Sequence, residues 1–281
     1  MTNMDIPCLS RRAILAGLAT MPLAGCSPTG LANALTPAGG VTSESDLAYG
    51  PLPRQRFDLH LPANLAPGAP LLVFIYGGGW RTGERADFAF VGRPLAQLGC
   101  LVAVPDYRLW PDSRFPDFVE DTALAVRVLA AREPGRRLVL MGHSAGAFNA
   151  ACVALDPRWG ARQHVGGFIG LAGPYDFGAW EVSPPAIFSG APQVLAAPAP
   201  LERGVTPPLL LLHGEADTIV RPRHSLMLAE RARAAGVPVR LVTYPGMGHI
   251  GVLSALSAPV RALGLEGGDV LGEVQRFLTA S

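Results

Sequence analysis

Short apolar runs recur along the chain, and polar or amphipathic segments separate them. Most of these runs are continuous, which is typical of strands that are buried on both faces of a sheet. The predicted strands are RFDLHL from Arg56, LLVFI from Leu71, CLVAV from Cys100, RLVLM from Arg137, GGFIGLA from Gly166, LLLLH from Leu209 and VRLVTY from Val239.

Helical patterns lie between several of the predicted strands, as in FVEDTALAVRVLAA from Phe118 and HSLMLAERARAAG from His224. Alternating strands and helices predict an α/β fold, with a mostly parallel central sheet and helices on both faces. Functional groups are then expected at the carboxyl ends of the strands. RFDLHL alternates apolar and polar residues, so we expect it to be an antiparallel edge strand.

Composition and charge exclude some classes of function. The 281 residues are 49% hydrophobic and 16% charged, which is ample for a buried core. A formal net charge of +1, without interleaved basic and aromatic segments, argues against nucleic acid as a partner. We therefore expect a small-molecule substrate. No residues have zinc-ligand spacing, and the sequence indicates no metal or cofactor.

The N-terminal residues have the layout of an export signal. SRRAILAGLATMPLAGC combines twin arginines, an apolar stretch too short to span a bilayer, and a lipobox-like LAGC that ends at Cys26. We interpret residues 1–26 as an export signal, residues 27–46 as a flexible tether and residues 47–281 as the catalytic domain. The expected product is a lipoprotein lipidated at Cys26 in the periplasm or cell envelope. The alternative is a simply cleaved secretory signal.

Only Cys100 and Cys152 fall within the predicted domain. Cys100 opens an apolar strand, and Cys152 lies on the helix that follows the GHSAG motif. Two buried thiols are therefore expected, rather than a disulfide or a metal site.

The segment LVLMGHSAGAF, residues 138–148, predicts a sharp turn between a strand and a helix. Small residues flank Ser144 in the pattern G-x-S-x-G, which leaves room for a nucleophile at the apex of the turn. The alternative is a glycine-rich turn whose serine caps the next helix. Ser144 is the candidate nucleophile.

A serine hydroxyl needs a general base and a carboxylate that orients the base. GEADTIV places Asp217 after one predicted strand, and YPGMGHI places His249 after the next. The order Ser144, Asp217, His249 is that of the α/β-hydrolases. Asp176 in GPYDF is the rival carboxylate, although an Asp after Pro is commonly a turn residue. Among the other histidines, His213 ends a strand too early in the chain to be the base.

Donors for the oxyanion are expected from FIYGGGW, residues 74–80. Three successive glycines let the backbone approach a substrate oxygen, and the backbone N–H of Ala145 completes the predicted oxyanion hole. A flexible glycine turn is the alternative interpretation.

The motifs YGGGW, PDYRL, GHSAG, LAGPYDF, LLLLHGEADTIV and YPGMGHIG resemble those of α/β-hydrolases of the esterase/lipase group, close to feruloyl-esterase-like and kynurenine-formamidase-like bacterial enzymes. The resemblance covers most of the chain after about residue 47. It implies the α/β-hydrolase fold and carboxylic-ester hydrolysis by Ser144, Asp217 and His249. It also implies that Gly78 and Gly79 join Ala145 in the oxyanion hole. The group usually has His where Tyr76 stands, which puts the geometry of the glycine loop in question.

Prolines recur between Phe177 and Pro207, so a short lid segment is expected there rather than a long helical cap. We expect a compact substrate pocket, or else apolar side chains that only hold the loop to the core. The residues predicted to contact substrate are Trp80, Trp180, Ile187 and Phe188.

The function predicted from the sequence is hydrolysis of short- to medium-chain carboxylic esters through an acyl-enzyme intermediate. An arylformamidase or amidase would use the same triad on a C–N bond. A non-catalytic binding protein on a hydrolase scaffold is the third possibility, because fold does not fix function.

Overall fold

The computed structural model describes residues 28–175, 185–189 and 200–280. The predicted export signal and Cys26 lie outside these ranges, as do Asp176 and Trp180.

Eight strands within the described residues form one sheet, in the order β1-β2-β4-β3-β5-β6-β7-β8. β2 pairs antiparallel with both β1 and β4, and the remaining neighbours pair parallel. The strands are β1 Val41–Ala48, β2 Arg56–Pro62, β3 Leu71–Ile75, β4 Leu101–Pro105, β5 Leu138–His143, β6 Val165–Leu171, β7 Leu209–Gly214 and β8 Val239–Tyr244.

Helices of the described chain lie between and after these strands. They are α1 Pro28–Leu35, α2 Ala89–Ala96, α3 Asp117–Arg132, α4 Ala145–Leu155, α5 Arg223–Ala234, α6 Gly251–Ser254, α7 Ala258–Ala262 and α8 Val270–Thr279. Short 3₁₀ turns occur at Arg85–Phe88, Pro157–Trp159, Arg162–His164 and Pro185–Phe188.

The core strands follow the apolar pattern of the sequence. Every residue of β3, β4, β5 and β7 is buried, because helices cover both faces of the sheet. The helix that follows β5, α4, is buried along its whole length. All seven predicted strands are present within a residue or two, and the predicted α/β fold with a mostly parallel sheet is confirmed.

The prediction that RFDLHL forms the edge of the sheet is wrong. β2 is antiparallel, as expected, but β1 pairs with its outer side and forms the edge. β1 has the sequence VTSESDLA, and most of its side chains are exposed. An edge strand with mostly exposed side chains and few apolar residues carries no periodic signal, and pairing with β2 decides its conformation.

The prediction of a flexible tether over residues 27–46, with a domain beginning at residue 47, is wrong for the part that the structure describes. Residues 28–35 form α1, and β1 begins at Val41. The Asn33 amide donates to the Ala86 carbonyl at 2.8 Å and accepts from the Phe90 N–H at 2.7 Å. These hydrogen bonds to the domain order a segment whose composition resembles that of a linker.

Both cysteines in the described part of the chain, Cys100 and Cys152, are free and buried, as expected. Burial raises the pKa of the Cys100 thiol to about 12, so the thiol is protonated at neutral pH. In the same part of the chain, no helix has the length and apolar character needed to cross a membrane.

Candidate active site

Ser144 lies at the turn between β5 and α4. Its φ of 53° and ψ of −122° are strained for a non-glycine residue, and such strain persists only where surrounding contacts enforce it. The Ser144 N–H donates to the Leu171 carbonyl of β6 at 3.0 Å. A Cβ on Gly146 would lie 2.1 Å from the Ile75 carbonyl oxygen, so α4 packs here only with glycine. These contacts form the predicted sharp turn between a strand and a helix, which we call the nucleophile elbow.

The structure brings the three predicted triad residues together at the carboxyl ends of β5, β7 and β8. His249 Nε2 lies 2.9 Å from Ser144 Oγ, and His249 Nδ1 lies 2.7 Å from Asp217 Oδ2. All three residues are buried, with at most 8% of their surface exposed. An ionised Asp217 accepts a hydrogen bond from His249 Nδ1–H, so the unprotonated Nε2 can accept the hydrogen bond from the Ser144 hydroxyl.

Hydrogen bonds keep Asp217 ionised. Burial by itself would raise the pKa of this carboxyl group, but donors from His213, His249 and the backbone of Val220 outweigh it and hold the pKa well below the usual range. The N–H groups of Ile219 and Val220 each donate to Asp217 Oδ1 at 2.9 Å. Asp217 is therefore fixed in position and charged at neutral pH.

His213, which the sequence excluded as a base, contacts the carboxylate. It is fully buried, and its Nε2 lies 2.8 Å from the Val220 carbonyl and 3.3 Å from Asp217 Oδ2. Its Nδ1 lies 2.7 Å from the hydroxyl of Ser225 on α5. His213 thus positions the loop that carries Asp217, a role that sequence reasoning missed.

His143 supports His249 from behind. Its Nε2 lies 3.2 Å from the His249 carbonyl oxygen, and the two imidazole rings are 4.9 Å apart. A carbonyl only accepts, so Nε2 carries the proton. Burial, followed by the proximity of His249, lowers the pKa of His143 to about 3. His143 is therefore a neutral donor beside the triad, and its place next to Ser144 in GHSAG was the available sequence signal.

The glycine loop after β3 lies against the elbow. A Cβ on Gly77 would be 3.0 Å from Ser144 Cβ and 2.9 Å from His143 Nδ1. Gly78 has a φ of 124°, and a Cβ there would meet the Thr82 carbonyl oxygen at 2.1 Å. Ala145 is the first residue of α4, where a backbone N–H has no partner within the helix. Gly77 thus lies against Ser144, and the oxyanion role of Gly78, Gly79 and Ala145 stays a prediction.

Tyr76 supports the loop at the position where the group usually has His. Its hydroxyl donates to Asp106 Oδ1 at 2.6 Å and accepts from Arg54 Nη2 at 2.8 Å. Its ring stacks on Phe88 at 4.8 Å, and Tyr107 donates to the Tyr76 carbonyl at 2.9 Å. The departure from the usual residue therefore leaves a well-packed loop. An Asp directly after a buried strand, in PDYRL, was the sequence signal for Asp106.

Trp80, Ile187 and Phe188 are buried, with 3%, 0% and 7% of their surface exposed. The Trp80 ring packs edge-on against Phe148 at 5.3 Å and Phe188 at 5.1 Å. Its Nε1–H donates to Asn149 Oδ1 at 2.9 Å. These contacts hold the 3₁₀ turn at 185–188 to the core, and contact with substrate stays a prediction for all three residues.

Comparison with known proteins agrees with this geometry. The sequence matches the BD-FAE family model over residues 57–180. It is 29% identical over 237 residues to the isoprenylcysteine alpha-carbonyl methylesterase ICME of Arabidopsis thaliana, covering 72% of this chain and 55% of that protein. It is 30% identical over 135 residues to the kynurenine formamidase of Danio rerio, covering 47% of this chain and 46% of that protein. The chain thus spans about half the length of these curated relatives.

The fold is also that of a solved esterase from the bacterial hormone-sensitive lipase family. The TM-score is 0.73 at 23% sequence identity, and the superposition covers 89% of this chain and 88% of the other. At this identity the likeness concerns the fold. Taken with the sequence relatives, it shows that the chain has the α/β-hydrolase fold and that its sequence is similar to those of esterases.

Proposed function

We propose that the protein is a serine hydrolase that cleaves carboxylic esters through an acyl-enzyme intermediate. The observation that carries this proposal is the continuous hydrogen-bond chain from Ser144 Oγ through His249 to Asp217, with distances of 2.9 and 2.7 Å. Nucleophile, base and orienting carboxylate are in reach of one another without rearrangement.

In the proposed reaction, Ser144 Oγ attacks the ester carbonyl carbon while His249 Nε2 takes its proton. The donors that we propose for the oxyanion are the N–H groups of Gly78, Gly79 and Ala145. Collapse of the tetrahedral intermediate breaks the C–O bond, and His249 returns the proton to the leaving alcohol. A water molecule then repeats both steps on the acyl-enzyme and releases the acid. Asp217 stabilises the imidazolium in each half of the cycle.

The test is to label the purified protein with a fluorophosphonate probe and measure hydrolysis of 4-nitrophenyl acetate. We expect labelling of the wild type and of Ser45→Ala, an exposed serine on β1, but not of Ser144→Ala. Ser144→Ala and His249→Ala should each lose roughly 10⁴-fold or more in kcat, because triad members act as a unit. Full activity in either variant would contradict the triad.

A wild-type protein that neither reacts with the probe nor hydrolyses esters would instead be a binding protein on a hydrolase scaffold. The complete triad geometry argues against this alternative, because binding alone does not require a serine, a base and a carboxylate in series.

The substrates we propose are short- to medium-chain esters. The close packing of Trp80 against Phe148 and Phe188, next to the glycine loop, supports a compact pocket. Each methylene buried in a pocket contributes about 0.8 kcal/mol, and a methylene left in water contributes nothing. kcat/KM should therefore rise with chain length only until the available space is full. A preference that climbs as far as palmitoyl esters would contradict this proposal.

A second candidate is hydrolysis of an aryl formamide, which would use the same residues on a C–N bond. The similarity to a kynurenine formamidase over 135 residues favours including it. Comparing kcat/KM for an N-formyl aryl amine and for a matched aryl acetate separates the two. We expect the ester to be the better substrate.

We also propose that the protein is exported to the periplasm or cell envelope and anchored there by lipid on Cys26. The LAGC tetrapeptide after an apolar stretch supports this proposal. Cys26→Ser should move the protein from the membrane fraction to the soluble fraction, whereas Cys8→Ser should not. A wild-type protein found soluble, with an unmodified Cys26, would leave simple export as the explanation.

A further inference from the structure

A cavity of about 700 Å³ lies beside the glycine loop, on the side where α1 packs. We call it the α1 cavity. Its walls are mainly apolar and include Ala32 of α1, Phe88 and Phe90 at the start of α2, and Leu253 and Val260 near α6 and α7. A volume of this size is typical of pockets for small molecules.

The α1 cavity adjoins the residues that flank the reacting groups. Gly77 and Gly78 of the glycine loop belong to its wall, and so does His143, which lies beside the triad. Ile250, the residue after His249, lines it as well and is exposed. The cavity wall thus contains the chain neighbours of Ser144 and His249, His143 and Ile250, and it borders the site through them.

Helix α1 is fixed as a wall of this cavity. Besides the two hydrogen bonds of Asn33, Thr29 Oγ1 donates to Asp87 Oδ1 at 3.3 Å. Arg93 donates to the Thr36 carbonyl at 3.3 Å, just after the helix ends. Ala32 packs against the apolar core, whereas Ala34, two residues later, is exposed. The same helix thus presents one alanine to the cavity and another to solvent.

We propose that the α1 cavity binds an extended apolar group of the ester substrate, and that Ala32 sets the length of the group that fits. The proposal rests on the ester hydrolysis proposed above. An apolar group can be carried by the acyl or by the alcohol part of an ester, and the chemistry of recognition is the same for both. Burial of each methylene should raise kcat/KM about fourfold until the cavity is full.

The experiment compares Ala32→Leu with Ala34→Leu, the same substitution on the two sides of one helix. Two series are measured in the full chain: 4-nitrophenyl esters from acetyl to dodecanoyl, and acetate esters of straight-chain alcohols from methyl to octyl. The first series varies the acyl group, and the second varies the alcohol. In one of the two series, Ala32→Leu should lower kcat/KM tenfold or more for the longest ester that the wild type still hydrolyses efficiently.

Within that series the shortest ester should lose least, because a short group buries the fewest methylenes in the cavity. Ala34→Leu should match the wild type in both series. Val260→Ala enlarges the same cavity, so it should shift the length optimum towards longer groups. This variant keeps the proposal testable if Ala32→Leu fails to fold.

Unchanged length profiles in both Ala32→Leu and Val260→Ala would overturn the proposal, and so would equal changes in Ala32→Leu and Ala34→Leu. In those cases wild-type turnover of 4-nitrophenyl acetate would still support ester hydrolysis. Absence of that turnover, together with absence of fluorophosphonate labelling, would instead mean that the proposed function itself is wrong.

Discussion

At the scale of single residues, two buried histidines hold the polar groups of the site without joining the triad. His143 bonds the backbone of His249, and His213 contacts Asp217. Both are buried at the carboxyl ends of their strands, β5 and β7. They therefore position the base and the carboxylate that the proposed reaction needs.

We expect His143→Leu to lower kcat by about five- to tenfold with little change in KM, because one hydrogen bond to the His249 loop is worth about 1 kcal/mol. His143→Gln keeps an N–H donor and should recover part of the loss. Steady-state kinetics with 4-nitrophenyl acetate would measure both variants. Equal losses in the two, with an unchanged free energy of unfolding, would contradict a role through this hydrogen bond.

The hydroxyl of Tyr76 is the second residue-scale feature with a measurable consequence. Tyr76→Phe removes a donor from the buried carboxylate of Asp106, and hydrogen bonds to charged groups are worth about 1.5–3 kcal/mol. Tyr107→Phe removes a hydrogen bond to a neutral carbonyl, worth about 0.5–1.5 kcal/mol. Urea unfolding should therefore show a larger loss for Tyr76→Phe. The reverse order would mean that Arg54 and Arg85 already satisfy Asp106.

At the scale of elements, the elbow depends on how closely α4 approaches β3. The Ile75 and Tyr76 carbonyl oxygens would lie 2.1 and 2.3 Å from a Cβ on Gly146. Backbone on both sides leaves no flexible side chain to move aside. The position of Ser144 is thus set by contact between a helix and a strand.

Gly146→Ala should destabilise the protein by about 3 kcal/mol or more, at the upper end of overpacking costs, because two backbone segments must separate. Gly248→Ala is the matched control, since a Cβ there meets nothing within 4 Å. Chemical denaturation of the two variants decides the point. If Gly146→Ala proves as stable as Gly248→Ala, then α4 can shift at little cost, contrary to this prediction.

At the scale of the whole molecule, buried neutral histidines make stability depend on pH. Burial lowers the pKa of His60 to about 4, and Asp58 opposes this shift whereas Arg93 adds to it. Burial also lowers the pKa of His143 to about 3. The ordinary value for an unfolded chain is 6.5. Between these values the unfolded state binds more protons than the folded state. Stability is therefore full above pH 6.5 and falls as the pH drops towards 4.

Between pH 6.5 and 4, the free energy of unfolding should fall by roughly 3 kcal/mol less in His60→Gln than in the wild type, as expected from the size of the pKa shift of His60. His164→Gln changes an exposed histidine and is the control, with a slope expected to match wild type. The free energy of unfolding in urea, measured at several pH values, gives the slopes. Parallel profiles for wild type and His60→Gln would contradict the assignment.

Sequence periodicity predicted the strands of the core but not the N-terminal elements. β3 and β7 are continuous apolar runs, and only burial between two layers of helices suits such runs. α1 and β1 consist mostly of small and polar residues, so nothing local distinguishes them from a linker. Hydrogen bonds of Asn33 to residues more than fifty positions away order α1, and pairing with the next strand, β2, orders β1.

The sequence by itself determined the fold class and the identity of the three triad candidates. The periodicity of apolar residues, the placement of glycines and the order of the motifs are properties of the linear chain, so they do not depend on which residues meet in the fold. Only the tertiary structure decided that His249 lies between Ser144 and Asp217, that His143 and His213 stand behind them, and that α1 lines a cavity. Most of these facts depend on distances between residues far apart in the chain, such as Ser144 and His249, which are 105 positions apart. The sheet sets such distances by aligning the carboxyl ends of its parallel strands.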